Sequence, residues 1–171
     1  MPPVLPTVYV GSAAAAILLP DDKETRIYYQ GADGAIHEAK GTGPATSGAV
    51  YTDRVAIPAS EVRPNSPIAA LASTERGDGP GLQEIRIYFV DQSNILREKW
   101  SITTSTTFLE GELSQKKYQV QINSDVLYAL VGHLAIIGGW SLRVGYQAAR
   151  APNTITEASY IDGVWDESPF A

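Results

Sequence analysis

The chain has no cysteine among its 171 residues, so disulfides, thiolate metal sites and a cysteine nucleophile are excluded. Histidine is nearly as scarce. His37 and His133 are the only two, in neither an HExxH nor a His-x-His spacing, so no metal site and no cofactor are expected. The acidic loop residues do not follow the EF-hand order, which leaves calcium without a signal. There is no GxSxG elbow and no other nucleophile motif, so no catalytic residue is assigned. "GDGPG", Gly77 to Gly81, is rich in glycine but lacks the lysine of a phosphate loop.

Positive charge is also in short supply. Thirteen Lys and Arg face 19 Asp and Glu, for a net charge of −6. No basic stripe is present to neutralise phosphates, which argues against nucleic acid and against an anionic membrane surface as partners. The apolar run near the start, Ala13 to Leu19, is far too short for membrane insertion. The segment before it has three early prolines and no basic n-region, unlike a secretory leader. The expected location is cytoplasmic, or exported without a classical signal peptide.

Helix signals are few. The one long apolar stretch, Ser124 to Trp140, is broken by Gly132, Gly138 and Gly139 and suits buried strands better. What the sequence has instead is punctuation. "PDDKE", "GADG", "GTGPATSG", "RGDGPG" and "APNT" are turn compositions separating short strand-like runs. The expected fold class is all-β.

The strands recur as a set. Three hairpins open with arginine and close with glutamate: "RIYYQGADGAIHE" (Arg26 to Glu38), "RIYFVDQSNILRE" (Arg86 to Glu98) and "RVGYQAARAPNTITE" (Arg143 to Glu157). The arginines are 60 and 57 residues apart, and the Arg-to-Glu interval is 12, 12 and then 14. Ahead of each hairpin runs a small-residue apolar strand beginning at Ser12, Ser66 and Ser124. After it comes a weaker strand, around "GAVYTDRV", "TFLEGEL" and "GVWDES". Four antiparallel strands per repeat make a propeller blade. The reading is one β-propeller-like domain over 1–171 with repeats near 7–60, 64–118 and 122–168. Three blades do not close a ring, because propellers need about four to eight, so a homodimer completing six is expected. The alternative is a degenerate fourth unit between Leu113 and Ser124.

The ordered elements of Ser66 to Leu113, and more loosely those of Ser12 to Glu38 and Ser124 to Trp165, resemble blades of the fungal fucose-binding lectins, the Aleuria aurantia lectin type. The resemblance implies a six-bladed propeller that binds a glycan or related small molecule between blades. It implies hydrogen bonds from Arg and Glu of each hairpin to sugar hydroxyls, with an aromatic platform for the sugar's apolar face. Carried over, the ligand-binding set is Arg26, Glu38, Arg86, Glu98, Trp100, Arg143, Glu157, Tyr160 and Trp165. The family places a ring three residues after the Glu. Tyr160 sits there after Glu157, whereas Gly41 and Ser101 hold the other two positions and Trp100 comes one place early. Trp165, Phe108 and Tyr51 are the outer-strand rings. The third unit is therefore expected to be the best equipped.

Each Arg–Glu pair also has a plainer reading, as a cross-strand ion pair contributing roughly 0–1 kcal/mol if exposed. Most of Tyr28, Tyr29, Tyr88, Phe89 and Tyr146 are expected in the core, Gln30 and Gln147 at strand ends nearer the ligand. Trp140 would line an inter-blade pocket or pack. Three functions remain: a fucose-binding lectin, a cofactor-free enzyme of cyclase type using an enclosed apolar pocket on this scaffold, or a structural or partner-binding propeller that has lost its sites.

Overall fold

The structure is a computed structural model that describes residues 13–19, 24–42, 50–73, 83–134 and 139–170. Ser12 and the Gly77 to Gly81 loop lie outside the described residues, as do the side chains of His133 and Trp140. Among the described residues, twelve strands form three four-stranded antiparallel sheets. The first contains β1 (Ala14–Leu18), β2 (Glu24–Gln30), β3 (Ile36–Thr42) and β4 (Tyr51–Ile57), side by side in chain order. The second repeats this with β5 (Ile68–Ser73), β6 (Glu84–Val90), β7 (Leu96–Ile102) and β8 (Leu109–Glu110). The third has β9 (Leu127–Leu134), β10 (Gly139–Tyr146), β11 (Thr156–Ile161) and β12 (Val164–Pro169). The all-β expectation of about three blades is met, and within the apolar stretch Ser124 to Trp140 the described residues 127–134 and 139–140 are strand.

Local chemistry explains the hairpins. In the first, the Gly31 N–H donates to Ala35 O and Gly34 takes φ 85°. In the second, the Asp91 N–H donates to Ile95 O and Asn94 takes φ 58° at the corresponding place. Glycine and asparagine are the residues that enter the left-handed region at least cost. An aspartate, Asp33 or Asp91, accepts the amide that closes each turn. The third hairpin carries two more residues. An even insertion keeps the side-chain parity of a strand, so Glu157 stays on the face of Arg143.

The sheets pack face on face. One core joins Ile17, Tyr28 and Ile36 of the first sheet to Ile85, Ile87 and Phe89 of the second. Another joins Leu71, Tyr88 and Leu96 of the second to Leu142, Val144, Tyr146 and Trp165 of the third. Every residue of β6 is buried because both faces of the middle sheet are covered. The inner strands β1, β5 and β9 lie next to one another, as around a hub. The outward faces of the two end sheets keep apolar residues in water: Leu18 and Val55 on one, Leu130 and Val164 on the other.

The stretch from Leu113 to Ser124 holds no fourth unit. It forms one turn of helix, α1 (Leu113–Lys116), closed by Lys117 in the left-handed conformation. Gln119 and Val120 then bridge Ile95 and Ala148, tying the second sheet to the third.

Candidate functional site

In each sheet the second and third strands pair so that the arginine, the residue two places on, and the glutamate share a face. Tyr28 lies opposite Glu38, Tyr88 opposite Glu98, and Gly145 opposite Glu157. All three Arg–Glu pairs form.

The first pair is sealed. Glu38 Oε1 accepts from Arg26 Nη1 at 2.9 Å and from the Tyr28 hydroxyl at 2.9 Å. Its other oxygen accepts from Arg54. Arg26 and Glu38 are 1% and 0% exposed. Burial alone would raise the Glu38 pKa, but Arg54, Arg26 and Tyr28 outweigh it and hold the carboxylate below its ordinary range. Burial and the Glu38 charge push the Tyr28 phenol up, so it serves as a neutral donor. The second pair is similar. Glu98 Oε1 accepts from Arg86 Nη1 at 2.6 Å and from Tyr88 at 2.9 Å, while Oε2 accepts the Leu113 amide at 3.1 Å.

The third pair is open. Arg143 donates twice to Glu157, from Nε at 2.7 Å and Nη2 at 2.8 Å, and its side chain is 49% exposed. Tyr128 from β9 supplies the phenol, 3.1 Å from Glu157 Oε2. The guanidinium bonds lower the Glu157 pKa despite partial desolvation. Beside the pair lies an open cleft of about 270 Å³ lined by Glu157, Ser159, Ile161, Val164 and Asp166 among others.

The rings corrected one expectation. Tyr160 stands three residues after Glu157, an odd number, and therefore points from the opposite face of β11. It pairs with Leu142 and Trp165, not with the Arg143 side of the sheet. Tyr160 and Trp165 face the second sheet, in the core that contains Tyr88. Their rings sit 5.3 Å apart and tilted by 49°. Trp100 lies opposite Arg86 and shares its face. The third blade's rings thus stand toward the second blade's charges, and the third unit is not self-sufficient. Arg86, Glu98, Trp100, Tyr160 and Trp165 come to one interface. Trp165 is 3% exposed, and its indole N–H has no hydrogen-bond partner among the described residues. At the first interface the equivalent ring positions are Ser101 and Phe108.

Sequence reasoning missed Arg54 and underrated Tyr28, Tyr88 and Tyr128 as donors to the glutamates. The tyrosine two places after the arginine was the available signal for two of them, by strand parity. Arg54 had none. Among the described residues no group of three or more His, Asp or Glu is placed to hold a metal ion. No helix of the described residues is long and apolar enough to cross a membrane.

Comparison with known proteins gives the same architecture. The chain superposes on the Aleuria aurantia lectin, described as a six-bladed β-propeller, with TM-score 0.75 and 25% identity, covering 97% of this chain and 51% of that one. AofleA of Arthrobotrys oligospora matches with TM-score 0.71 and 23% identity over 92% of this chain and 41% of its own. A fucose lectin of Kordia zhangzhouensis matches with TM-score 0.65 and 13% identity over 91% of this chain and 97% of its own. The chain therefore spans about half or less of the first two. No curated protein sequence matches it. The model of the fungal fucose-specific lectins matches residues 8–169, nearly the whole chain, and the chain belongs to that family.

Proposed function

We propose that the chain binds a fucose-type sugar, without catalysis, in the groove between the second and third blades. The observation that carries this reading is the convergence there of Arg86, Glu98 and Trp100 with Tyr160 and Trp165. Arg86 and Glu98 are 8% and 0% exposed, and both Glu98 oxygens are engaged by Arg86, Tyr88 and the Leu113 amide, so a ligand would exchange those bonds for its own ring hydroxyls. The Tyr160 and Trp165 rings suit the C–H face and methyl of a 6-deoxy sugar. The buried Trp165 N–H, which has no acceptor among the described residues, is suited to a ligand oxygen. A mutant of a relative, the Aleuria aurantia lectin, is described in complex with α-methyl-L-fucoside. The pair Arg143–Glu157 belongs to the same reading as a half-site on an open face. Two copies of the chain joined into a six-bladed ring would give it a facing blade. The enzymatic alternative has nothing to support it.

Titration with α-methyl-L-fucoside, followed by tryptophan fluorescence and calorimetry, tests the reading. Saturable binding is expected, weakened about tenfold or more by Glu98→Gln or Arg86→Met, because hydrogen bonds to charged groups contribute roughly 1.5–3 kcal/mol. Absence of saturation at millimolar fucoside would remove the proposal.

A further inference from the structure

The link between the third and fourth strands differs sharply between two blades. In the third sheet Asp162 and Gly163 alone make the turn, with φ of 51° and 82°. In the second sheet β7 ends at Ile102 and β8 begins at Leu109, so the link runs from Thr103 to Phe108. The added length folds over the interface with the first blade.

There it meets the first pair directly. Arg26 Nη2 donates to the main-chain oxygen of Thr103 at 2.8 Å. Arg54 Nη1 donates to the main-chain oxygen of Thr106. The Arg54 guanidinium lies 5.6 Å over the Phe108 ring, which meets Tyr28 edge-on at 6.2 Å. The segment is braced from within: Ser101 Oγ donates to Thr107 O at 2.8 Å and the Thr107 N–H donates to Ser105 Oγ at 3.0 Å. Two carbonyl oxygens and a ring thus stand against Arg26, Arg54 and Tyr28 in the roles that polyol hydroxyls and a sugar's apolar face would take. Glu38 has both oxygens engaged by Arg26, Tyr28 and Arg54, as Glu98 has by Arg86, Tyr88 and the Leu113 amide, so it is the segment lying across Arg26 and Arg54 that sets the first groove apart. At the second interface the Asp162–Gly163 turn is too short to reach across in the same way.

We propose that Thr103–Phe108 is a resident occupant of the first groove, its carbonyls taking the place of ligand hydroxyls, so that exchangeable polyol binding is confined to the grooves beyond it. This rests on the sugar-binding reading for its ligand but not for its geometry. It also gives the first Arg–Glu pair a fixed role, that of clamping the first blade to the second.

Two experiments separate the inferences. In the first, Thr103–Thr106 is replaced by Asp-Gly and fucoside sites are counted by calorimetry against the unaltered protein. The count is expected to rise by one per chain. Where the unaltered protein binds fucoside, an unchanged count in a folded variant overturns the occupant, as does fucoside density against Arg26 in soaked crystals of the unaltered protein. In the second, Arg54→Met is compared with the unaltered protein by hydrogen–deuterium exchange, with no sugar present. Faster exchange of the amides of Thr103 to Thr107 is expected, and unchanged exchange overturns the occupant whether or not fucoside binds. If fucoside binds nowhere while that exchange accelerates, the lectin reading falls and the clamp stands.

Discussion

Tyr128 and Gly145 trade places with their counterparts in the other two blades. Tyr28 pairs across with Ala15 and Tyr88 with Ala69, the ring on the arginine strand and the small residue on the inner strand. In the third blade the inner strand carries Tyr128 and the arginine strand carries Gly145. One phenol reaches each glutamate in all three, by either route. A Cβ at Gly145 would collide with the Tyr128 ring. Gly145→Ala is therefore expected to cost about 1–3 kcal/mol in denaturant unfolding, and Tyr128→Ala with Gly145→Tyr should recover most of the loss by restoring the arrangement of the other blades. A second residue-scale effect is electrostatic. The His37 ring lies between Asp53, 2.9 Å from Nδ1, and Asp33, 3.1 Å from Nε2, and stacks on Tyr29. Burial pulls its pKa down, but the two carboxylates prevail and raise it. A raised folded pKa means that the stabilisation is fully present below the unfolded value of about 6.5 and disappears as pH climbs through the higher folded value. The stability difference between the unaltered protein and His37→Gln should shrink as pH rises through that window. A difference constant from pH 5 to 9 would show that the ring is not charged in the folded chain.

At the scale of elements, the second blade replaces most of its outer strand by other means. β8 has two residues, and α1 takes over the neighbouring edge of β7. Ser114 Oγ accepts the Glu98 N–H at 2.8 Å and donates to Glu98 O at 3.1 Å, both buried. Ser114→Ala leaves two buried main-chain groups without that partner, and an expected loss of about 1–3 kcal/mol follows; thermal unfolding measures it, and a loss below a few tenths would place the anchor elsewhere. Nothing in "LSQKK" announces this turn of helix, because a single turn has too little periodicity to read and its partner is tertiary. The hairpins were legible, since alternation, turn residues and the Arg-to-Glu interval are all local. So was the burial of Tyr28 and Tyr88. The allegiance of the rings was legible in principle: Trp100 is two residues from Glu98 and shares its face, while Tyr160 is three from Glu157 and cannot. What no spacing reveals is that Thr103 to Phe108 fold onto the previous blade, because that contact spans 77 residues from Arg26 to Thr103.

For the whole molecule, the decisive feature is that the same contact is made twice and then stops. The arginine face of the first sheet packs on the far face of the second, and the arginine face of the second on the far face of the third. The arginine face of the third, with Tyr128, Leu130, Arg143 and Val164, and the far face of the first, with Leu18 and Val55, carry the two halves of that contact unused. Apolar groups at Val164 and Val55, 59% and 51% exposed, gain by leaving water, each by at most about 1.5–3 kcal/mol. A two-fold axis through the hub of a six-bladed ring would bring each free face onto its complement in a second copy, closing the ring with no blade face left over. Tyr51, which occupies in the first blade the place of Trp165 in the third, would then stand toward the partner's Arg143. Light scattering should return twice the 18.4 kDa of the chain. Val164→Arg should halve that mass without unfolding the blades, since the residue touches water and not the core. A monomer at micromolar concentration would exclude the pairing. A dimer that survives Val164→Arg would mean that the copies meet through some other surface, leaving the Arg143–Glu157 half-site without a facing blade. If the ring closes, sugar sites recur at two-fold positions on one rigid body, and weak single contacts add through simultaneous engagement of a glycan surface.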